Sequence, residues 1–161
     1  RIKSMALVHE KLYQAGDLSR IDLKDYFQDL VRLVFQGSHR SGAIAVILDL
    51  ESIPVTIDTA VPCGLILNEL LSNAFKHGFP EDREGEIRIS LRKNQDAIRL
   101  CVDDDGFGLP EGLDWRHSES YGLQSVLALT EHQLRGSVQV RTRPGLEFCV
   151  RIPEPEARVR V

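Results

Sequence analysis

Four side chains of different chemistry crowd into one short stretch of the chain: Glu69, Asn73, Lys76 and His77. If the stretch is helical, at about 100° per residue they fall within roughly a quarter of the circumference. Leu67, Leu70, Leu71, Ala74, Phe75 and Gly78 then take the opposite arc and mark the core side. A solvated helix face would also place polar residues at this spacing, but such a face more often repeats Glu/Lys pairs. The mixture suits phosphate chemistry. An amide oxygen can hold a hard cation, an ammonium neutralises phosphate, and a carboxylate can orient or deprotonate a nucleophile.

Two further stretches carry chemistry. Asp104-Asp105-Gly106-Phe107-Gly108 follows an apolar alternating run that ends at Val102. Two glycines one residue apart let the backbone turn sharply and approach a ligand, and a carboxylate at a strand end can accept from an exocyclic amine. Acidic glycine-rich turns are also common on surfaces, so this motif alone is weak. Ser120-Tyr121-Gly122-Leu123 opens a helical pattern whose free N–H groups would suit an anion, although Ser120 could equally be a plain N-cap.

The elements that must position these groups are legible from periodicity. Met5, Val8, Leu12 and Ala15 share one face of a leading helix that Gly16-Asp17 breaks. Asp22 is a candidate N-cap for a second helix, in which Leu23, Tyr26, Phe27, Leu30, Val31, Val34 and Phe35 recur at helical spacing up to Gly37. Ala43–Leu48 and Val55–Ile57 read as strands, and Pro62 suits the first turn of the long helix that ends near Gly78. Ile87, Ile89 and Leu91, then Ile98, Leu100 and Val102, alternate around an Asn94-Gln95-Asp96 turn. Tyr121–Leu134 reads as a helix, and Val138, Val140, Phe148, Val150 and Ile152 alternate around Pro144-Gly145. The order α-α-β-β-α-β-β-α-β-β predicts an α+β fold: a two-layer sandwich of helices on one face of a mixed sheet, preceded by a short helical segment.

At 161 residues the chain fits one domain with a short appendage, and 42% hydrophobic with 27% charged residues is ordinary for a globular domain. A formal charge of -4 argues against a nucleic-acid partner. No apolar run approaches the ~20 residues that span a bilayer, and no signal peptide opens the chain, so no membrane contact and a cytoplasmic location are expected. Cys63, Cys101 and Cys149 lie at no metal-ligand spacing and read as buried thiols of a reducing compartment. No G-x-S-x-G elbow supports a serine hydrolase, and His39, His117 and His132 read as surface residues. Trp115 falls in the loop after the glycines, where packing over a ligand and anchoring the loop are both open.

Taken in order, these motifs resemble those of the GHKL superfamily, which joins gyrase, Hsp90, histidine kinases and the MutL mismatch-repair proteins. Glu69-Leu70-Leu71-Ser72-Asn73-Ala74-Phe75-Lys76-His77 resembles the N box, Asp104–Gly108 the first glycine box, and Gly122-Leu123-Gln124-Ser125-Val126 the second. The likeness covers about Leu23–Pro153. Upstream, Arg1–Tyr13 resembles the end of the second dimerisation helix in a histidine-kinase subfamily often attached to PAS sensor domains, and Pro62-Cys63-Gly64-Leu65-Ile66 is in the same style.

The resemblance implies the Bergerat-type ATP-binding sandwich, with a division into residues 1–18 (end of the second dimerisation helix), 19–153 (catalytic domain) and 154–161 (tail). It implies ATP and Mg²⁺ as cofactors. Asp104 would accept from the adenine amine, and Gly106 and Gly108 would begin a lid running over about Leu109–Ser120. Asn73 would hold Mg²⁺, Lys76 and His77 would meet phosphates or sugar, and the N–H groups of Gly122 and Leu123 would meet the phosphate tail. Glu69 matches the residue that activates the nucleophile. The chain departs from the pattern by keeping one glycine in the second box. The accepting histidine is expected upstream on the first dimerisation helix, and His9 does not match it. The implied function is a two-component sensor histidine kinase passing phosphate to that histidine, with its own dimerisation domain, a response regulator and a homodimer as expected partners. A GHKL-type ATPase or serine-kinase regulator, and a non-catalytic ATP-binding signalling module, are the alternatives.

Overall fold

A computed structural model of the chain describes residues 6, 7, 10, 20–36, 44–79, 84–106, 108–109, 112–117, 123–142 and 145–154. Of the expected leading helix, residues 6, 7 and 10 are described and are helical, and Leu7 is buried in the main core. The rest of that helix lies outside the described residues.

The second helix, α1 (Leu23–Gln36), starts where its cap predicts. Asp22 Oδ1 accepts from the Lys24 N–H at 2.9 Å, satisfying a first-turn donor, and from the Ile53 N–H at 3.1 Å. The second bond ties the cap to a short ribbon that periodicity did not indicate. β1 (Ile21–Asp22) pairs antiparallel with β3 (Pro54–Val55); the strand expected at 55–57 thus ends at Val55, and Ile57 already belongs to the next helix.

β2 (Ile44–Leu50) precedes this ribbon, and the long helix follows it. α2 (Ile57–Asn73) begins five residues before Pro62, because the Thr59 and Ala60 N–H groups donate to the Thr56 carbonyl and close the first turn there. Pro62 therefore sits inside the helix rather than opening it. α2 then widens into a π-helical turn, Ala74–Gly78. Gly64 is required where α2 crosses α1, since a Cβ there would overlap the buried Tyr26 ring and hydroxyl.

The remaining elements are β4 (Gly85–Asn94), β5 (Ala97–Asp104), α3 (Leu123–Leu127, continued by a π-helical segment Ala128–Gln133), β6 (Ser137–Arg141) and β7 (Leu146–Pro153). The five-stranded sheet runs β2-β4-β5-β7-β6, with β2 parallel to β4 and the other pairs antiparallel. This is the mixed sheet expected. Gln95, at φ 52°, makes the tight turn between β4 and β5 in the left-handed region.

Alternation decides which face is covered. Ile87, Ile89 and Leu91, with Ile98, Leu100, Val102, Phe148, Val150 and Ile152, join α1, α2 and α3 in one apolar core. On the other face Arg88, Arg92, Arg99 and Arg151 are exposed. Each such aliphatic side chain contributes about 1.5–3 kcal/mol when fully buried, so one covered face holds most of the stabilisation.

One further expectation, that all three cysteines are free thiols, is corrected. Cys101 and Cys149 are register partners on β5 and β7 and form a disulfide, with Cα atoms 4.1 Å apart. Alternation put both on the same sheet face, but the adjacency of β5 and β7 was not in the pattern. Cys63 keeps the expected state, buried with its thiol pushed up to about 12 by desolvation. The first residue of the tail is held to the sheet, because the Glu154 N–H donates to the Asp96 carbonyl at 2.8 Å and its carboxylate pairs with Lys93 at 2.7 Å.

Candidate functional site

The sheet delivers one end of the candidate site and α2 the other. Asp104 closes β5 and is buried at 6% exposure. Desolvation pushes its carboxyl above the usual range. The Asp103 and Asp105 charges add to that, while the Gly106 and Leu146 N–H groups pull the other way. The Gly106 N–H donates to Asp104 Oδ1 at 2.9 Å, so the loop folds back onto the carboxylate that precedes it. Asp105 extends the strand edge, accepting the Glu86 N–H at 2.8 Å and donating its own to the Glu86 carbonyl at 3.2 Å. Gly145 lies against this strand end, and any Cβ there would run into the Asp104 carbonyl. Gly108 follows at φ 73°, in the left-handed region that glycine favours.

The other end is built differently. α2 packs against β5 and α3, which joins the helix bearing Glu69 and Asn73 to the Asp104 strand and to Leu123. Glu69 and Asn73 are half-buried, and Lys76 is exposed. Asn73 is the last α-helical residue, and the Ala74 N–H behind it is shared between the Leu70 and Leu71 carbonyls. Lys76 and His77 lie in the π turn, which winds less per residue than an α-helix. The turn shifts the direction of Lys76 relative to Glu69 and Asn73 from that of a straight helical wheel. The Asn73 side-chain nitrogen is buried without a hydrogen-bond partner among the described residues. A buried polar group left so costs about 1–3 kcal/mol, an expense that a ligand at this place would relieve.

Of the remaining candidates, Leu123 is buried at the start of α3. Gly122 and the His77 side chain lie outside the described residues. Trp115, left open by the sequence, packs edge-on against Phe148 with ring centroids 5.6 Å apart. Its neighbour Arg116 was not singled out; opposite charges fifteen positions apart give no periodic signal.

A mixed five-stranded sheet covered on one face by helices, with an acidic glycine loop at the end of a central strand, defines the two-layer ATP-binding sandwich. The chain belongs to the family described as Histidine kinase-, DNA gyrase B-, and HSP90-like ATPase, whose model matches residues 59–156. A second model, described as Histidine kinase, matches residues 1–38. The chain is 28% identical over 156 residues to the sensor histidine kinase PdtaS of Mycobacterium tuberculosis, covering 95% of this chain and 31% of that protein. It is 29% identical over 160 residues to the blue-light-activated histidine kinase 2 of Erythrobacter litoralis, covering 96% of this chain and 45% of that protein. The chain thus spans less than half the length of these relatives. Among solved structures, the Erythrobacter litoralis EL346 blue-light activated histidine kinase superposes with a TM-score of 0.84 at 27% identity, over 95% of this chain and 52% of that one. The catalytic domain of histidine kinase ThkA shares the fold with a TM-score of 0.72 at 22% identity, over 84% of this chain and 95% of that one.

Proposed function

We propose that this chain is the ATP-binding catalytic domain of a two-component sensor histidine kinase, within residues 19–153, and that residues 1–18 end its second dimerisation helix. The observation that carries this reading is Asp104, a buried carboxylate at a strand end with one oxygen occupied by its own loop. A carboxylate offers more lone pairs than the Gly106 and Leu146 N–H groups use, so it can also accept from the adenine amine, and a guanine carbonyl at the same place would repel it.

The other residues divide the work. Asn73 supplies the amide oxygen that would hold Mg²⁺, and its buried nitrogen, without a partner among the described residues, would donate to an oxygen of the same ligand. A Mg²⁺ ion held there would need few protein ligands, so the one Asn73 oxygen would suffice. That ion would neutralise charge on the transferred phosphoryl group. Lys76, exposed at the rim, and His77 meet the phosphates or the sugar. Gly106 and Gly108 begin the lid, and the N–H groups of Gly122 and Leu123 receive the phosphate tail. Glu69 orients the attacking imidazole and takes its proton. The acceptor is a histidine outside these 161 residues, on the dimerisation domain of a homodimer, and a response regulator takes the phosphate onward. Catalysis then rests on positioning and charge neutralisation. Among the described residues no helix is long and apolar enough to cross a membrane, and the domain works in the cytoplasm, where ATP is.

Calorimetry with a non-hydrolysable ATP analogue, with and without Mg²⁺, tests this. The expected result is Mg²⁺-assisted binding that adenosine competes for and guanosine does not. A folded chain that binds no adenine nucleotide defeats the reading.

A further inference from the structure

The loop between β5 and α3 carries a cluster of contacts that adenine recognition does not use. Trp115 rests edge-on upon Phe148 of β7, and the Arg116 guanidinium carbon lies 5.4 Å from the Trp115 ring centroid. Arg116 Nη2 donates to both carboxylate oxygens of Glu131 at 2.9 Å. Gln124 Nε2 donates to the Arg116 carbonyl at 2.7 Å. Within the turn, His117 Nδ1 lies 2.6 Å from Asp114 Oδ2, and the His117 N–H donates to the Asp114 carbonyl at 3.2 Å. Residues 114–117 are therefore fastened to α3 at its first turn and again seven residues later, and to the strand whose Leu146 N–H reaches Asp104.

We infer that Arg116 is a positioning residue, one that seats the 114–117 turn on α3 through Glu131 and so fixes the start of α3 relative to the Asp104 strand end. This rests on the nucleotide-binding reading above. If the base is held at Asp104 and the phosphates lie toward Leu123, a fixed span between the two sets how long a triphosphate stays. Arg116 itself touches no nucleotide. Adenosine, which engages only the Asp104 end, does not depend on the seat. The ion pair is half-exposed, at 44% and 33% of the two side chains, so its removal has a modest effect rather than an all-or-none one.

The test is a charge-swap cycle: Arg116→Glu, Glu131→Arg and the double variant. Two readouts apply: dissociation of a fluorescent ATP analogue, and emission from Trp115, the one tryptophan of the chain. Each single variant is expected to raise the dissociation rate by roughly 3–10-fold, as loss of about 1 kcal/mol would. Each is also expected to red-shift Trp115, with adenosine affinity unchanged, and the double variant should recover both signals. Gln124→Ala, a milder cut at the other fastening, should move the rate in the same direction and serves if a charge reversal does not fold. Folded variants with wild-type dissociation rates overturn the inference and leave the nucleotide reading standing. Single variants that lose affinity with no recovery in the double would mean that Arg116 meets the nucleotide directly, which also overturns it. A folded wild-type chain that binds no adenine nucleotide removes both.

Discussion

The two ends of the candidate site are made by different kinds of structure. At the strand end, Asp104 is buried, its loop is bonded back to it, and Gly145 and a disulfide three residues away hold the neighbouring strand in place. At the helix end, the α-helical ladder gives way to a π turn after Asn73, a buried amide nitrogen has no partner among the described residues, and Lys76 stands in solvent. The strand end is finished before any ligand arrives, whereas the helix end is short of a partner. Base selection would thus be a property of the sheet, and phosphate handling a property the ligand helps to complete.

The largest effect expected from this contrast lies in the sheet. Closing a loop between cysteines 48 positions apart, as Cys101 and Cys149 are, is worth about 4 kcal/mol on the chain-entropy account. Denaturant unfolding with and without a dithiol reductant should show a loss of that order. In denaturant without reductant, one of the three thiols should react, and all three after reduction. Three reactive thiols in protein isolated without reductant would show that the pair is open in its own compartment.

Asp104→Asn should weaken adenine-nucleotide binding by about 1–3 kcal/mol, the scale of a hydrogen bond to a charged acceptor. The same change should raise the stability of the free protein. The folded carboxyl binds its proton more tightly than the unfolded one, whose ordinary value is 3.8, so its ionised form works against folding at neutral pH. That cost fades as the pH falls through the raised value towards 3.8. The variant's advantage in thermal melts should therefore be present at neutral pH and shrink on acidification. A variant less stable than wild type at neutral pH would mean that the carboxylate supports the fold, contrary to a site built for a ligand.

Asn73→Ala should leave the ligand-free protein unharmed or more stable by about 1 kcal/mol, since it removes an unsatisfied buried donor, while the Mg²⁺-dependent part of nucleotide affinity disappears. Clear destabilisation with Mg²⁺ dependence intact would make Asn73 an ordinary helix residue. The smallest effect belongs to Lys76→Ala. Melting should be unchanged, ATP affinity should drop a few-fold, and adenosine affinity should not move, as suits an exposed cation that screens phosphate.

Much of this contrast was legible in the chain itself. Alternation at Ile87–Leu91 and Ile98–Val102 predicts one covered face, and Asp22 predicts the start of α1, because both depend on near neighbours. What escaped depends on partners distant in sequence or on small departures from regular geometry. Pro62 looks like a helix opener, yet the Thr56 carbonyl closes the first turn five residues earlier. A π turn leaves no periodic mark. The Cys101–Cys149 pair needs β7, rather than β6, to lie beside β5. The roles proposed for Glu69, Asn73, Lys76 and Asp104 rest on their order along the chain, and their differing surroundings come only from the fold.

The pairing of β5 with β7 has a consequence for how such a domain can vary. Those strands can zip together only after the chain has looped out and returned through α3 and β6, so their union belongs to the slower, non-local part of folding. Once that long excursion is tolerated, lengthening it is cheap, because doubling a flexible loop adds only about 0.6 kcal/mol of closure entropy. Extra residues inserted between Gly106 and the seated Trp115 turn would burden the sheet very little. The segment proposed to lie nearest the nucleotide is in this way one whose length can drift freely while the scaffold beneath it stays the same.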